Sequence, residues 1–223
     1  MDKDALSIEI QTKLYKKKLQ NWKMIDLLKF LDEETLSHLS SGIDKIKLAG
    51  EEIPKALYIF TDGACSNNGK SDAKASWACF ITDKEESKYS NLNMSGIIEK
   101  NGTNQKAELT GILNALELVD SYQKNIEEKE VIICSDSMYS INCCTKWYKA
   151  WEKNNWKNAK NQAVKNPELI KKIIQLLKKL NSQFNITFKH AYSHTSEPKN
   201  KDSFEYFIWY GNDQADKMAS RLV

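Results

Sequence analysis

Four carboxylates stand where chemistry could be done. Asp62 directly follows the apolar run Ala56-Leu57-Tyr58-Ile59-Phe60-Thr61, and Asp136 follows Val131-Ile132-Ile133-Cys134 closely. Glu108 sits beside Leu109 and Ile112, and Asp216 beside Ala215, Met218, Ala219 and Leu222. Acids set against apolar positions are costly to bury unless something positive binds them. Any one of them alone reads first as a helix cap or a solvated strand end. Together, at the ends of elements, they point to hard divalent cations, because Mg²⁺ takes oxygen ligands and keeps sites free for water and phosphate. Two such ions ~4 Å apart can activate a water and stabilise the leaving oxygen of a phosphodiester.

The elements that must position these acids are visible in the periodicity. The apolar runs at 56–61 and 131–134 suit buried strands. Residues 76–82 and 88–95 predict two more strands after the turn-like Asn67-Asn68-Gly69, and a fifth is expected at 184–189. Leu109, Ile112, Leu113, Leu116 and Val119 keep a helical period. Thr103 or Asn104 is placed to cap that helix, which puts Glu108 in its first turn. Helical pieces follow across 137–180, and a last helix is expected from Asn212, with Asp216 in its first turn. This order predicts an α/β domain with a five-stranded mixed sheet flanked by helices. A right-handed crossover would lay the first and fourth strands side by side and parallel, bringing Asp62 and Asp136 to neighbouring strand ends.

Composition narrows the classes. With 41% hydrophobic and 28% charged residues among 223, the chain is expected to be globular rather than disordered. No apolar run approaches the ~20 residues of a membrane span. The start Met1-Asp2-Lys3-Asp4 is neither a signal peptide nor an acid-poor transit peptide. The expectation is an intracellular protein, in cytoplasm or nucleus, with no membrane partner. Cys65, Cys79, Cys134, Cys143 and Cys144 form no metal-ligand or redox spacing and are expected as reduced thiols. The net charge of +3 identifies no partner, but from Lys146 to Lys179 there are ten lysines against two acids. Residues 1–54, by contrast, carry nine Lys and ten acids. With Leu14, Trp22, Ile25, Leu28 and Leu31 at helical spacing, they are expected to form a small helical N-terminal extension. That extension is either a plain appendage or an element that binds a protein partner.

Thr61-Asp62-Gly63-Ala64, Thr103-Asn104-Gln105-Lys106-Ala107-Glu108-Leu109, Ser135-Asp136-Ser137 and Gly211-Asn212-Asp213-Gln214-Ala215-Asp216 follow one another in that order. On these motifs the chain resembles type 1 ribonuclease H over roughly residues 55–223, which would be the catalytic domain. The resemblance implies the ribonuclease H-like fold. It implies an endoribonuclease that hydrolyses the RNA strand of RNA–DNA hybrids by a two-metal-ion mechanism, leaving 5′-phosphate and 3′-hydroxyl ends. Asp62, Glu108, Asp136 and Asp216 would hold two Mg²⁺, with Mn²⁺ able to substitute. His194, in Lys189-His190-Ala191-Tyr192-Ser193-His194-Thr195, matches the family's mobile histidine, a group that could shuttle protons or help product leave. His190 is expected to be structural.

By the same resemblance, residues 137–180 form a basic protrusion in which Trp147, Trp151 and Trp156 are interleaved with Lys146, Lys149, Lys153, Lys157 and Lys160. Lysines neutralise phosphates and flat rings pack on sugars or bases; core tryptophans behind a solvated lysine face are the plainer alternative. Tyr139, Trp147, Trp151, Lys153 and Lys157 would meet the DNA strand, and Thr103 and Asn166 would grip a DNA phosphate. Asn68, Asn104, Gln105 and the backbone around Cys65 would contact the RNA strand. For these short polar side chains, capping is the alternative.

The chain departs from the family in several places. His194 and Asp216 lie 22 positions apart, farther than the family's spacing. The insertion, 196–210, holds Phe204, Tyr206, Phe207, Trp209 and Tyr210, expected to pack a lengthened loop on the domain or else to contact the hybrid or residues 1–54. Asp213 is assigned to the helix N-terminus. Asn101 stands where relatives often carry Arg, with Lys100 as a substitute. Residues 1–54 do not resemble the small hybrid-binding domain of many relatives, so processivity is not expected, and the chain is expected to act as a monomer. The competing function is a hybrid-binding protein that kept the fold without turnover; the intact quartet of acids weighs against it. A DNA-strand nuclease or transposase on the same fold is less consistent with the Thr103-Asn104-Gln105 run and the protrusion.

Overall fold

The computed structural model describes residues 55–82, 89–193 and 195–223. The expected helical extension over 1–54 lies outside the described residues. Among the described residues five strands form one mixed sheet: β1 (Leu57–Ser66), β2 (Lys74–Thr82), β3 (Met94–Ile98), β4 (Glu130–Ser135) and β5 (Asn185–His190). Their spatial order is β3-β2-β1-β4-β5. β1 pairs antiparallel with β2 and parallel with β4, and β4 pairs parallel with β5. The helices are α1 (Asn104–Tyr122), α2 (Met138–Asn142), α3 (Tyr148–Lys153), α4 (Pro167–Leu180) and α5 (Phe204–Ser220). A single π-helical turn, Cys143–Trp147, joins α2 to α3. No helix among the described residues is long and apolar enough to cross a membrane.

β1 reads as a continuous apolar run because both of its faces are covered. Leu57 and Ile59 join Leu109, Ile112, Leu116, Ile133, Ile170 and Ile173 in one core beneath α1 and α4. Tyr58 and Phe60 point to the opposite face and join Phe207, Ile208 and Ala215 of α5 in a second core. Alternation along one strand thus feeds two cores, as a period of two requires. The second core is aromatic, with the Phe207 ring edge-on to Tyr58 at 4.8 Å between centroids and to Phe60 at 5.8 Å.

Two expectations are corrected here. The third strand, expected over 88–95, is a short 3₁₀ turn, Ser90–Leu92, followed by β3; Lys88 lies outside the described residues. Asn93 stops the turn by accepting the Ile81 N–H at 2.7 Å, which draws the chain back into the sheet. The last helix starts at Phe204, eight residues before the expected Asn212. Ser203 caps it, its Oγ accepting the Tyr206 N–H at 3.0 Å. Phe204, Phe207, Ile208, Gly211, Ala215 and Ala219 then fall at helical spacing on one face. The insertion is therefore not a lengthened loop throughout: its aromatic half is two further turns of α5. Asp213 consequently sits inside the helix, where it pairs with Lys217 at 2.6 Å, rather than at its N-terminus.

α5 approaches β1 so closely at Gly211 that an added Cβ would overlap the Phe60 ring. Gly211→Ala is therefore expected to destabilise the fold by about 1–3 kcal/mol through overpacking, read as a lower thermal midpoint. An unchanged midpoint would show that the Phe60 ring yields freely.

Candidate active site

The parallel ladder between β1 and β4 ends at the pair Thr61–Ser135. Asp62 and Asp136 are the next residues on each chain, so they leave adjacent strands at the same level. β1 itself does not stop at Asp62; it continues to Ser66 against β2, with Asp62 opposite Ala78. Asp62 thus occupies a rigid strand position with one side freed by the end of β4. Glu108 arrives from α1, at the start of its second turn rather than in the first. Thr103 caps this helix by accepting the Lys106 N–H at 3.2 Å. Gly63 lets the helix approach, since a Cβ there would overlap the backbone nitrogen of Glu108.

These elements bring one carboxylate oxygen each of Asp62, Glu108 and Asp136 within 4.8 Å of one another. Asp62 is 6% exposed and Glu108 4%. Burial, together with the charges of Asp136 and Asp216, raises the Asp62 carboxyl from 3.8 to about 7, with the Gly63 N–H partly offsetting the rise. Glu108 is pushed well above its ordinary value by burial, then by Asp62 and Asp136. Its Oε2 is buried with no hydrogen-bond partner. An orphaned carboxylate oxygen beside two further acids fits a hard divalent ion, which takes oxygen donors and cancels their mutual repulsion. Asp216 lines the same cleft, but from the later turns of α5, where it is exposed and accepts the Ser220 Oγ–H at 3.1 Å. Three of the four predicted acids are gathered tightly, and the fourth faces them across the cleft.

His194 lies outside the described residues; Ser193 and Thr195 on either side of it line the cleft. His190 places its Nε2 3.0 Å from the Asp136 carbonyl oxygen, so this nitrogen carries the donated proton. Asn104 also lines the cleft, its backbone N–H donating to Asn68 Oδ1 at 3.2 Å, while Gln105 and Cys65 are half-buried nearby in sequence. Asn166 precedes α4 in a left-handed conformation, φ 54°, and its side chain makes no capping bond. Tyr139, Trp147 and Trp151 form one aromatic ladder, with centroids 5.8 Å apart at each step. Lys153 and Lys157 are exposed. Trp156, like Tyr139 and Trp151, packs against the core beneath α1 and α4, and it carries Lys171 over its ring at 5.1 Å.

Three residues of the cleft escaped the sequence reading, and a fourth, Trp209, was named there only among the aromatics of the insertion. Gly63 was visible only as part of the Asp62 motif, and its role needs the approach of α1. Asn212 is 6% exposed with an unpartnered Oδ1, one helical turn before Asp216. Tyr192 and Trp209 complete the cleft wall. Their placement follows from the early start of α5 and the end of β5.

Residues 54–223 match the family model described as RNase H. A ribonuclease H of Wolbachia pipientis is 32% identical over 149 residues, covering 67% of this chain and 90% of that protein. One from Dichelobacter nodosus is 29% identical over 167 residues, covering 75% of this chain and 91% of that protein. The solution structure of the PFV RNase H domain shares the fold, with a TM-score of 0.57 at 22% identity over 77% of this chain and 96% of that domain.

The raised Asp62 carboxyl fixes the sign of a pH effect. A carboxylate whose folded value lies above its unfolded one costs stability as it ionises. Ionisation of Asp62 should therefore cost the metal-free chain stability as pH climbs from about 4 to about 7, and Glu108, raised by the same burial and neighbouring charges, should add to the loss. Asp62→Asn should stabilise the metal-free chain at pH 8 by on the order of 2–4 kcal/mol, read as a higher thermal midpoint, and leave the midpoint unchanged at pH 4. Mg²⁺ should raise the midpoint of the unsubstituted chain at pH 8 and not that of Asp62→Asn. A lower midpoint for Asp62→Asn at pH 8 would contradict the repulsion.

Proposed function

Because the chain belongs to the RNase H family, and is accordingly a ribonuclease that acts on RNA–DNA hybrids, we propose that it cuts the RNA strand internally, leaving 5′-phosphate and 3′-hydroxyl ends. The observation that carries this reading is the convergence of Asp62, Glu108 and Asp136, one Glu108 oxygen being buried and unpartnered. Asp62, Glu108, Asp136 and Asp216 would hold two Mg²⁺, or Mn²⁺ in their place. Bound there, the ions supply charge that lowers the pKa of a water and neutralises the leaving oxygen.

The chain's own residues do the rest. Asn104 and Gln105 open α1 beside the acids, and with Asn68 and the backbone at Cys65 they present donors and acceptors to a ribose 2′-hydroxyl, the group that separates RNA from DNA. The Tyr139–Trp147–Trp151 ladder offers flat faces to the DNA strand, flanked by Lys153 and Lys157 for its phosphates. Thr103 and the uncommitted side chain of Asn166 would grip one DNA phosphate. His194, through the match of its motif, would move a proton at the leaving oxygen or help product depart. On the same reading residues 55–223 are the catalytic domain, 137–180 its basic protrusion, the chain acts as a monomer, and 1–54 form an appendage open to a protein partner.

Matched RNA–DNA, RNA–RNA and DNA–DNA duplexes, each labelled on one strand, test the activity directly. Metal-dependent cutting of only the hybrid's RNA strand is expected, abolished by EDTA. Asp136→Asn should reduce cutting at least about a thousandfold, since a metal ligand supports several kcal/mol of transition-state stabilisation, while hybrid binding persists. Cleavage that survived the change would remove Asp136 from the site, and binding without cleavage in the unsubstituted chain would leave a binding protein. Lys153→Ala and Lys157→Ala should each flatten the dependence of hybrid affinity on log[salt] by about one unit. An unchanged slope would make that face ordinary solvated surface.

A further inference from the structure

We propose that Tyr192 is a stacking platform for a nucleotide of the strand being cut, seated at the rim of the carboxylate cleft. The proposal rests on the hybrid-cutting reading and adds a contact that none of the residues assigned above supplies.

Tyr192 is 73% exposed, although Ala191 beside it is 1% exposed and closes the second core. A large ring so far out of the core contributes little to folding. Its geometry is nevertheless held. The edge of the ring meets the His190 ring at 4.9 Å between centroids and 78° between planes. His190 is in turn tied to the Asp136 carbonyl at 3.0 Å. The exposed ring is therefore referenced, through one side chain, to the backbone of a residue whose carboxylate belongs to the acidic cluster. On the far side of the loop, the Trp209 indole N–H donates to the Thr195 carbonyl at 3.1 Å, fastening the chain just past Tyr192 to α5.

Tyr192, Thr195 and Trp209 line the same cleft as Asp62, Glu108, Asp136 and Asp216. The Tyr139–Trp147–Trp151 ladder cannot serve this wall: its tyrosine and Trp151 pack on the core beneath α1 and α4, whereas α5 covers the opposite face of the sheet. A phosphodiester held at the acids must carry its flanking nucleotides across the cleft rim, where the acids themselves would repel further phosphates. A flat, uncharged ring suits a base or ribose at that place. Stacking on an aromatic face is tolerant of sequence because every base has a π face. The occupant is thus a nucleotide adjacent to the cleavage position, on the cut strand.

The test uses the full chain in an Asp136→Asn background, which keeps the hybrid uncut, with fluorescence anisotropy of a labelled RNA–DNA hybrid as the readout. Adding Tyr192→Ala should weaken binding about tenfold, with the slope against log[salt] unchanged because stacking displaces no counterion. Adding Tyr192→Phe should leave affinity as it was. Placing abasic sites one at a time along the RNA strand should reveal one position, next to the cut, at which Tyr192→Ala no longer matters. Equal affinity of the alanine variant and its parent would overturn the platform. So would an equal loss in the phenylalanine variant, which would assign the contact to the hydroxyl. Absence of hybrid binding by the Asp136→Asn parent would overturn the hybrid reading itself, before the ring is altered.

Discussion

Carboxylate repulsion is the constraint around which this structure is organised. Asp62, Glu108 and Asp136 are held within 4.8 Å of one another, two of them buried. Left to themselves such groups would separate or take up protons. Separation is prevented by where they are attached. Asp62 is fixed by pairing with β2 on one side, and its neighbour Thr61 closes the ladder to β4 on the other. Thr61 also donates its hydroxyl to the Cys134 carbonyl at 3.3 Å, locking the two strands just below the acids. Glu108 is pressed in by a helix whose apolar face, Leu109, Ile112 and Leu116, is fully buried. Strand pairing and two cores, each far larger than the site, resist the opening of a cluster that only a cation or a proton would relieve.

Charge is divided along this chain between the acidic cluster and a lysine-rich segment. The lysine excess between Lys146 and Lys179 lies on elements that leave the sheet after Asp136 and return before β5. Lysines of this kind attract phosphates, and they stand on a different stretch of chain from the acids. The π-helical turn Cys143–Trp147 contributes to the same division. Cys143 and Cys144 turn inward to the core while Trp147 remains exposed, adjoining both Tyr139 and Trp151. One extra residue per turn lets the segment bury its thiols and still keep three rings in contact along its outer side.

How legible each feature was depended on whether a local pattern or a tertiary approach created it. The strands that lead to Asp62 and Asp136 were visible because burial on both faces leaves an unbroken apolar run, and the α1 cap was narrowed to Thr103 or Asn104 because both precede a clear helical period. The third strand was misplaced by several residues: Tyr89 is buried and resembles strand sequence, yet its hydroxyl donates to Glu128 at 2.6 Å from a turn. Gly63 could not be recognised as a contact point, since nothing local distinguishes a glycine beneath a helix from one in a turn. Asn212 likewise gains its meaning only once α5 is known to be continuous. The acids themselves were found by residue type and position, and the degree to which three gather while Asp216 stays exposed is a property of the packed helix alone.

The insertion before Asp216 shows why a large change in spacing need not move a site. Added residues in a loop would leave the start of the last helix free to shift. Here their aromatic half continues the helix backwards, and Phe204 and Phe207 dock on Tyr58, with Phe207 also against Phe60. Tyr58 and Phe60 belong to the strand that carries Asp62. The extension therefore ties the helix of Asp216 to the strand of Asp62 through rings that lie two to four residues before that acid. Gly211 lets the same helix descend onto Phe60, and Ser76 Oγ holds its far end by donating to the Ala219 carbonyl at 2.7 Å. Asp216 sits between these two attachments. A helix fastened on both sides of the acid fixes its distance from the cluster, whatever length of chain separates it from the histidine motif, and Trp209, on the added turns of that helix, lines the cleft together with Tyr192 and Thr195.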